Sequence, residues 1–511
     1  AKQADGLPSV SWREIAQLLA TSVQEAKTLK DLRAESYGLG YLGSIYRLTH
    51  QEAAAQQLTE QALLLAQAAN AREISYRWQW QLGQIHQVQG ERQKAIATYT
   101  AAVQNLRSLR SDLAALNSDT QFSFRDEVEP VYRQLVDLLL QSDGNVPPPQ
   151  INLIQARNVL ETLQVVELEN FFRAACLDAK PISIDQVDTH TAVLYPILLG
   201  DQVKTIVSLP QQPLRLYEAP LDPHWETQIE RLRQALTQRN SQEVLPLAQR
   251  FYNQLIRPAA ADLKTSGVKT LAFVLDGPLR NLPMAVLQDG HQYLMEQYSL
   301  ALTPGLQLLK AQPLAPERLK ALFAGLTEAR QGFPALDHVA QEFADIQTSL
   351  PNQSLLNQRF TRSNLLTATT STHFPILHFA THGQFSSQAD ETFILSWDER
   401  LDIDQLNALI RRTPSKTREI DLLVLSACET ATGDRRAALG LAGVAVRAGA
   451  RSTLATLWLV NDASSAVLIN TFYQELAKTR ATKAEALRQA QIALLSNPKY
   501  RHPYYWAPYV L

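Results

Sequence analysis

The sequence has few features that point to a membrane, to nucleic acid or to secretion. No apolar run approaches the roughly 20 residues that cross a bilayer, and the first residues lack the apolar core of a signal peptide. The 48 basic and 50 acidic side chains nearly cancel, and no polybasic stretch occurs. We therefore expect no nucleic-acid partner and no membrane association. The start at Ala1, without Met, leaves room for an upstream segment that has been removed.

Cysteine is almost absent. Two residues, Cys176 and Cys428, are too few for a disulfide framework or a cysteine-ligated structural zinc site. Isolated thiols in a long chain are typical of a reducing compartment, which favours a cytoplasmic location. Cys176 follows two phenylalanines and is predicted to be an inert buried thiol.

The length of 511 residues and the 45% hydrophobic content predict a globular protein of roughly two to four domains. We divide it into helical repeats over 1–145, a linker helix with a β-hairpin and helices over 150–267, and an α/β core over 268–511. A run of three prolines separates the first two segments, because proline cannot continue a helix. In the second segment, 192–199 and 203–209 flank a Gly-Asp turn and predict the hairpin, and 214–217 are expected to add a third strand.

Residues 12 to about 142 show helical periodicity and an internal repeat. Leu42-Gly43 is echoed about 40 residues later by Leu82-Gly83, which Tyr99 and Ala102 follow. This is the tetratricopeptide (TPR) pattern, in which small residues let two antiparallel helices approach, here with a period longer than the usual 34 or so. It predicts a solenoid with a groove that binds a protein or packs on the rest of the chain.

A glycine motif inside the repeats imitates a nucleotide-binding fingerprint. Gly38, Gly40 and Gly43 have the spacing G-x-G-x-x-G. A dinucleotide site needs a strand before this motif and a βαβ unit around it, and the surrounding pattern is helical. We predict no nucleotide or other cofactor here.

After residue 268, apolar strand-like runs alternate with helical stretches, which predicts a mostly parallel sheet covered on both faces. The runs are 270–275, 319–326, 376–380, 420–425 and 452–457, and the helical stretches are near 335–350, 401–412, 437–449 and 463–477. Asp402 and Asp462 precede helical runs as N-cap candidates, and Gly449 is a stop signal.

Two of these strands end in residues that can do chemistry. The run 376–380 leads to Thr381-His382-Gly383, and the run 420–425 leads to Ser426-Ala427-Cys428. Catalytic groups collect beyond the carboxyl ends of strands in such sheets. His382 is therefore a candidate base and Cys428 a candidate nucleophile, with the amides of Gly383 and Cys428 as candidate oxyanion donors.

Simpler interpretations exist for each residue. Cys428 in its apolar context would be a core thiol, and His382 would bond locally. His373 and His378 compete as bases, although His378 lies within the apolar run and is better explained as core. A zinc site on His378 and His382 would need a helix and an intervening glutamate, so no metal is predicted. The chain has no G-x-S-x-G elbow and no Walker loop.

The two signatures together resemble those of CHAT domains, the caspase- and separase-like domains often found behind TPR repeats. His-Phe-Ala-Thr-His382-Gly and Leu-Ser-Ala-Cys428-Glu-Thr carry the resemblance. Further similar segments are 276–283, 448–452, 457–462 and 502–508. The resemblance covers about 150–511 and implies an α+α/β chain, a TPR-like α-solenoid followed by a caspase-like α/β sandwich.

By resemblance, the chain is a cysteine endopeptidase with His382 as general base and Cys428 as nucleophile. Similar separases carry Trp-x-Val-x-Asp after the next strand and cut after Arg, so Trp458 and Asp462 are implied to read the P1 side chain. Asp462 is equally well explained as a helix N-cap, and Asp276 is a weaker P1 candidate.

The implied partners are a protein substrate and a regulatory protein that binds the TPR groove. One alternative is a binding scaffold whose dyad is idle. Another is a cysteine amidase or acyltransferase with a non-protein substrate.

Overall fold

The computed structural model describes residues 11–109, 124–144, 146–172, 189–303, 319–347, 349–385, 391–411, 420–426, 428–430, 450–458, 460–477 and 481–511. They form two compact units, one up to Val166 and one from Glu167 onward. The predicted helix at 437–449, its stop at Gly449 and the environment of Cys176 lie outside the described residues.

The first unit is built from helices that repeat along the chain. They are α1 Trp12–Thr28, α2 Leu32–Leu48, α3 Glu52–Ala68, α4 Arg72–Val88, α5 Arg92–Ser108, α6 Glu129–Leu139 and α7 Gln150–Phe172, the last of which continues into the second unit. The helices α2 and α3 pair closely, as do α4 and α5, so α1 is the second helix of an earlier hairpin. The TPR-like repeats predicted from the sequence are confirmed.

The glycines of the false nucleotide motif serve helix packing. All three lie within α2, and a Cβ atom on Gly40 would come within 2.2 Å of the Trp78 ring. The Trp78 indole is buried, and its N–H donates to the Ser36 hydroxyl at 3.0 Å. A side chain at position 40 would displace this indole, so the glycine is there for close helix approach.

The described residues of the second unit form three sheets. A five-stranded sheet has the order β3-β2-β1-β4-β5, from β1 Thr191–Leu199, β2 Gln202–Ser208, β3 Arg215–Pro220, β4 Thr270–Phe273 and β5 Ser299–Leu302. A six-stranded sheet has the order β15-β14-β12-β8-β6-β7, from β6 Ala321–Gly325, β7 Asn352–Leu356, β8 Ile376–Ala380, β12 Leu422–Leu425, β14 Thr453–Thr456 and β15 Tyr509–Val510. A small sheet has the order β11-β10-β9-β13, from β9 Gly383–Phe385, β10 Phe393–Leu395, β11 Arg400–Asp402 and β13 Cys428–Thr430.

Helices cover these sheets. They are α8 Trp225–Thr237, α9 Val244–Leu255, α10 Ala260–Thr265, α11 Leu294–Gln297, α12 Val339–Gln347, α13 Arg362–Ser371, α14 Ile403–Arg411, α15 Asp462–Ala477, α16 Lys483–Ser496 and α17 Pro503–Trp506. The six-stranded sheet is parallel except for β15, as predicted for the central sheet. The fold class predicted from the sequence, helical repeats followed by an α/β fold with a mostly parallel central sheet, is confirmed.

One predicted strand lies in a different sheet. The run at 270–275 was expected beside the later strands, but β4 pairs in parallel with β1 and β5. The reason is the central position of β1, whose middle residues are buried and which pairs on its other edge with β2. This sheet therefore takes strands from both sides of residue 268. The two larger sheets meet where the Leu302 amide donates to the Leu511 carbonyl at 2.7 Å.

Candidate active site

The predicted base and nucleophile follow two adjacent strands. β8 and β12 are parallel neighbours, with Phe379 opposite Leu425. The Ser426 amide extends this pairing by donating to the Phe379 carbonyl at 3.0 Å. Because both strands run in the same direction, the segments that leave them emerge at the same edge of the sheet.

The same two segments pair again beyond the sheet. Gly383 lies opposite Cys428 in the parallel pairing of β9 with β13. Strands paired in this way lie about 4.8 Å apart, so His382 is one residue from the direct neighbour of the Cys428 main chain. The sequence placed both residues at one edge, and the pairing brings their main chains side by side. The side chain of Cys428 lies outside the described structure.

The His382 imidazole is held by the segment before α12. Its Nε2 lies 2.9 Å from the Pro334 carbonyl oxygen, and its ring stacks on Phe333 with centroids 5.1 Å apart. A carbonyl oxygen can only accept, so Nε2 carries the proton of the neutral ring. The lone pair is then on Nδ1, which is the nitrogen that can act as a base.

Sequence reasoning missed the turn that supplies these contacts. Arg330 and Phe333 exchange main-chain hydrogen bonds of 3.1 and 2.8 Å, and Gln331 and Gly332 between them have φ values of 48° and 88°. Two residues with positive φ form the tight turn typical of hairpins. Gly332, with Pro334 two residues later, was a usable turn signal. The Arg330 guanidinium lies 3.7 Å from the centre of the Trp397 ring, which fixes the turn against the end of β10.

The strand next to β12 leads to the predicted P1 residues. β14 is parallel to β12, so Trp458 and Asp462 follow it at the same edge as Cys428. The Trp458 ring N–H donates to the Tyr504 carbonyl at 3.3 Å, and the indole is partly buried against the core.

The alternative that Asp462 is the N-cap of its helix is wrong. The side chain of Asn461 accepts from the Ser464 amide at 3.1 Å, and the Asn461 carbonyl accepts from the Ser465 amide at 2.9 Å. Asn461 therefore caps α15, and Asp462 is its first helical residue. Asp402, by contrast, caps its helix as expected, with its carboxylate 2.7 Å from the Gln405 amide. The Asp462 side chain lies outside the described structure.

Asp276 is not brought to this edge of the central sheet. It follows β4 in the five-stranded sheet, is 5% exposed, and accepts from the Leu198 amide at 3.4 Å. Asp462 follows β14, and three strand-to-strand steps separate β4 from β14 across the contact between the two sheets, which is roughly 14 Å. A carboxylate at that distance does not line the same subsite as Asp462.

The competing histidines are placed elsewhere. His373 precedes β8 and so lies at the amino end of the strand, away from the edge that carries Gly383 and Cys428. His378 lies inside β8 and is fully buried, and burial lowers its pKa to about 3. Among the described residues there is no group of three or more His, Cys, Asp or Glu side chains that could hold a metal ion. None of the described helices is long and apolar enough to cross a membrane.

The comparison with protein families matches residues 245–511, slightly more than half of the chain, to the CHAT domain. A comparison with curated protein sequences returns no match. Among solved structures, the separase in the separase–securin complex of Saccharomyces cerevisiae matches with a TM-score of 0.45 and 11% identity, over 100% of this chain. This chain spans 50% of the length of that separase. A mutant O-GlcNAc transferase from Thermobaculum terrenum matches with a TM-score of 0.17 and 12% identity, over 97% of this chain and 96% of the other.

Proposed function

The chain belongs to the CHAT-domain family, and from that premise we propose that it is a cysteine endopeptidase with a caspase-like fold. The observation that carries the proposal is the pairing of Gly383 with Cys428 beside an imidazole whose tautomer the Pro334 carbonyl sets. A dyad needs a base with a lone pair next to the nucleophile, and the protonated Nε2 puts that lone pair on Nδ1. His382 and Cys428 are the proposed dyad.

In the proposed reaction, Nδ1 of His382 takes the Cys428 thiol proton, and the thiolate attacks the carbonyl carbon of the scissile peptide. The amides of Gly383 and Cys428 donate to the oxygen that becomes negative. The imidazolium then gives its proton to the leaving amine, which departs and leaves an acyl-enzyme. Water, deprotonated by the same imidazole, hydrolyses the thioester and restores the thiol.

The Pro334 carbonyl has a defined task in this scheme. It keeps Nε2 as the donor nitrogen throughout, so the ring does not have to turn between its roles as base and acid. It also accepts from the imidazolium, whose charge it helps to stabilise. The Pro334 carbonyl thus orients the imidazole and fixes its tautomer, which in other hydrolases is the role of an aspartate.

We propose Asp462 as the residue that pairs with a basic P1 side chain. Its support is positional, since it follows β14, the neighbour of β12, and does not serve as the helix N-cap. The substrate is proposed to be a protein, recruited or controlled through the TPR-like repeats of 1–145, with 150–267 and 268–511 as the two parts of the CHAT segment.

The alternative of a scaffold with an idle dyad is favoured by one observation. His382 is only 6% exposed, so in this arrangement its ring has little contact with solvent. Under this alternative, the repeats bind a partner and no peptide bond is cut.

The proposal is tested by replacing each of the two cysteines in turn. We expect Cys428→Ala to abolish cleavage of any substrate that the wild-type chain cuts, because no nucleophile remains. Cys176→Ala is the matched control and should retain full activity. Circular dichroism of both variants should equal that of the wild type. Cleavage that persists in Cys428→Ala would show that another residue is the nucleophile.

A further inference from the structure

Four polar side chains are buried together directly beneath the candidate active site. They are His378 in the middle of β8, Ser426 just after β12, Glu342 in α12 and Tyr473 in α15. Each is at most 3% exposed. Buried polar groups cost free energy unless they are hydrogen-bonded, so a group of four needs a structural explanation.

The imidazole of His378 is the centre of this cluster. Its Nε2 lies 2.9 Å from the Ser426 hydroxyl and 3.2 Å from a carboxylate oxygen of Glu342. Its Nδ1 lies 3.3 Å from the Tyr473 hydroxyl. Burial raises the pKa of Tyr473 well above its usual value, so this hydroxyl keeps its proton. His378 therefore contacts a hydroxyl at each ring nitrogen, Ser426 at Nε2 and Tyr473 at Nδ1.

Every member belongs to an element that carries a part of the proposed site. β8 leads to His382 and β12 leads to Cys428. The helix α12 follows the segment that holds Pro334, and α15 begins at Asp462. The His378 imidazole therefore lies among residues of the four elements that carry the base, the nucleophile, the Pro334 carbonyl and the proposed P1 carboxylate.

The bonds are most direct between the segment that follows β8 and carries His382 and the segment that follows β12 and carries Cys428. Ser426 bonds to β8 through its amide, which donates to Phe379, and through its hydroxyl, which contacts His378. Only two residues later, Cys428 pairs with Gly383. The segment between β12 and the nucleophile is thus fixed at both ends to the segment between β8 and the base.

A hydrophobic side chain would fill this part of the core at lower cost in desolvation. The directional contacts of His378 with Ser426 and Tyr473 instead fix how β8, β12 and α15 are aligned, since a buried hydrogen bond is strong and depends on geometry. Misplacing a reacting group by about 1 Å can cost on the order of 100-fold in rate.

We propose that His378, Glu342, Ser426 and Tyr473 are positioning residues that align His382 with Cys428. This inference rests on the proposed function, because it assigns the cluster a role in that dyad. The residues touch no substrate and act through the segments that they hold.

The test is the rate at which iodoacetamide alkylates Cys428, followed from pH 5 to pH 9 by mass spectrometry of the full-length chain. A thiol activated by an aligned imidazole has a lowered pKa and stays reactive below neutral pH. We expect Ser426→Ala to slow alkylation of Cys428 at pH 6 by about 10-fold or more, with the apparent pKa moving towards about 8.5. Tyr473→Phe, which removes one hydroxyl, should move the profile in the same direction.

Two controls separate positioning from general loss of stability. Ser452→Ala removes a hydroxyl that accepts from Lys483 at 2.9 Å, at the amino end of the neighbouring strand β14, and should leave the Cys428 profile unchanged. Cys176 in the same molecules is an internal reference whose alkylation rate should not differ between variants.

The double variant Ser426→Ala/Tyr473→Phe is expected to lose less than the product of the two single losses, because both act through His378. Single variants with a wild-type Cys428 profile, or multiplicative losses in the double variant, would overturn the positioning role alone. A wild-type Cys428 that titrates as an ordinary thiol would refute the proposed dyad itself, and the positioning role with it.

Discussion

At the scale of single residues, the orientation of the proposed base depends on the His382 side chain and on one main-chain oxygen. The sequence identified His382 because histidine is a chemically distinctive residue after a strand. It did not identify the Pro334 carbonyl, since every residue has a carbonyl and only the path of the chain decides which one meets Nε2. Similarly, the sequence suggested Asp462 as a helix cap, and the neighbouring Asn461 makes those bonds instead.

The role of Asp462 predicts a change in specificity. Asp462→Ala should lower kcat/KM for cleavage after Arg or Lys by about 10-fold or more, because a charge-assisted hydrogen bond is worth roughly 1.5–3 kcal/mol. Cleavage after apolar residues should change little. The measurement is the P1 profile in a peptide library.

The matched control is Asn461→Ala, one residue earlier. Loss of the helix cap should cost about 1 kcal/mol of stability while the P1 profile keeps its shape. An unchanged P1 profile in Asp462→Ala would remove this residue from the substrate site.

His378 predicts a pH dependence of stability. Burial lowers its pKa to about 3 in the folded chain from 6.5, so between these values the unfolded chain binds a proton that the folded chain does not. The stability that depends on a neutral His378 imidazole is fully present above pH 6.5 and is lost as the pH falls towards 3. This group alone should cost about 2 kcal/mol of unfolding free energy between pH 7 and pH 5.

The measurement is urea unfolding of the wild type and of His378→Gln at both pH values. The variant is expected to be less stable at pH 7 but to lose about 2 kcal/mol less on acidification, because glutamine does not titrate. Equal losses in the two proteins would mean that His378 is not the titrating group.

At the scale of elements, long and strongly patterned segments were predictable and short ones were not. The bounds of β8 agree with the sequence prediction, because a continuous apolar run reads as a buried strand. The strands β9 and β13 have three residues each and were missed, since their pairing arises only after the larger sheet has brought them together. Those two strands contain Gly383 and Cys428, so the residue types of the site were predictable but its main-chain geometry was not.

The turn before α12 predicts an effect on catalysis. Gly332 has a φ of 88°, a conformation that costs other residues about 1–2 kcal/mol. Gly332→Val should shift Pro334 away from His382 and reduce the reactivity of Cys428 towards iodoacetamide. Gly144→Val is the matched control, with a positive φ of 59° and open space around it in the other unit. Equal reactivity of the two variants would contradict the role given to Pro334.

At the scale of the whole molecule, the order of helical repeats followed by an α/β region was predictable from the sequence. The sheet to which β4 belongs was not. Repeated Leu-Gly pairs indicated the helical hairpins, because a Cβ atom on Gly43 would collide with Thr59 and one on Gly83 with the ring of Tyr99. The division at residue 268 followed a change in pattern along the chain. Pairing of β4 with β1 crosses that position, and such long-range pairing leaves no signal in the local sequence.

The central claim is that His382 makes Cys428 a reactive nucleophile in the intact chain. The direct measurement is labelling of the full-length protein with a peptidic cysteine-protease probe that carries Arg at P1, followed by mapping of the labelled residue. We expect labelling at Cys428 in the wild type, its loss in His382→Ala, and none at Cys176. No labelling of Cys428 in the wild type, or equal labelling in His382→Ala, would contradict the proposed dyad and favour the binding scaffold.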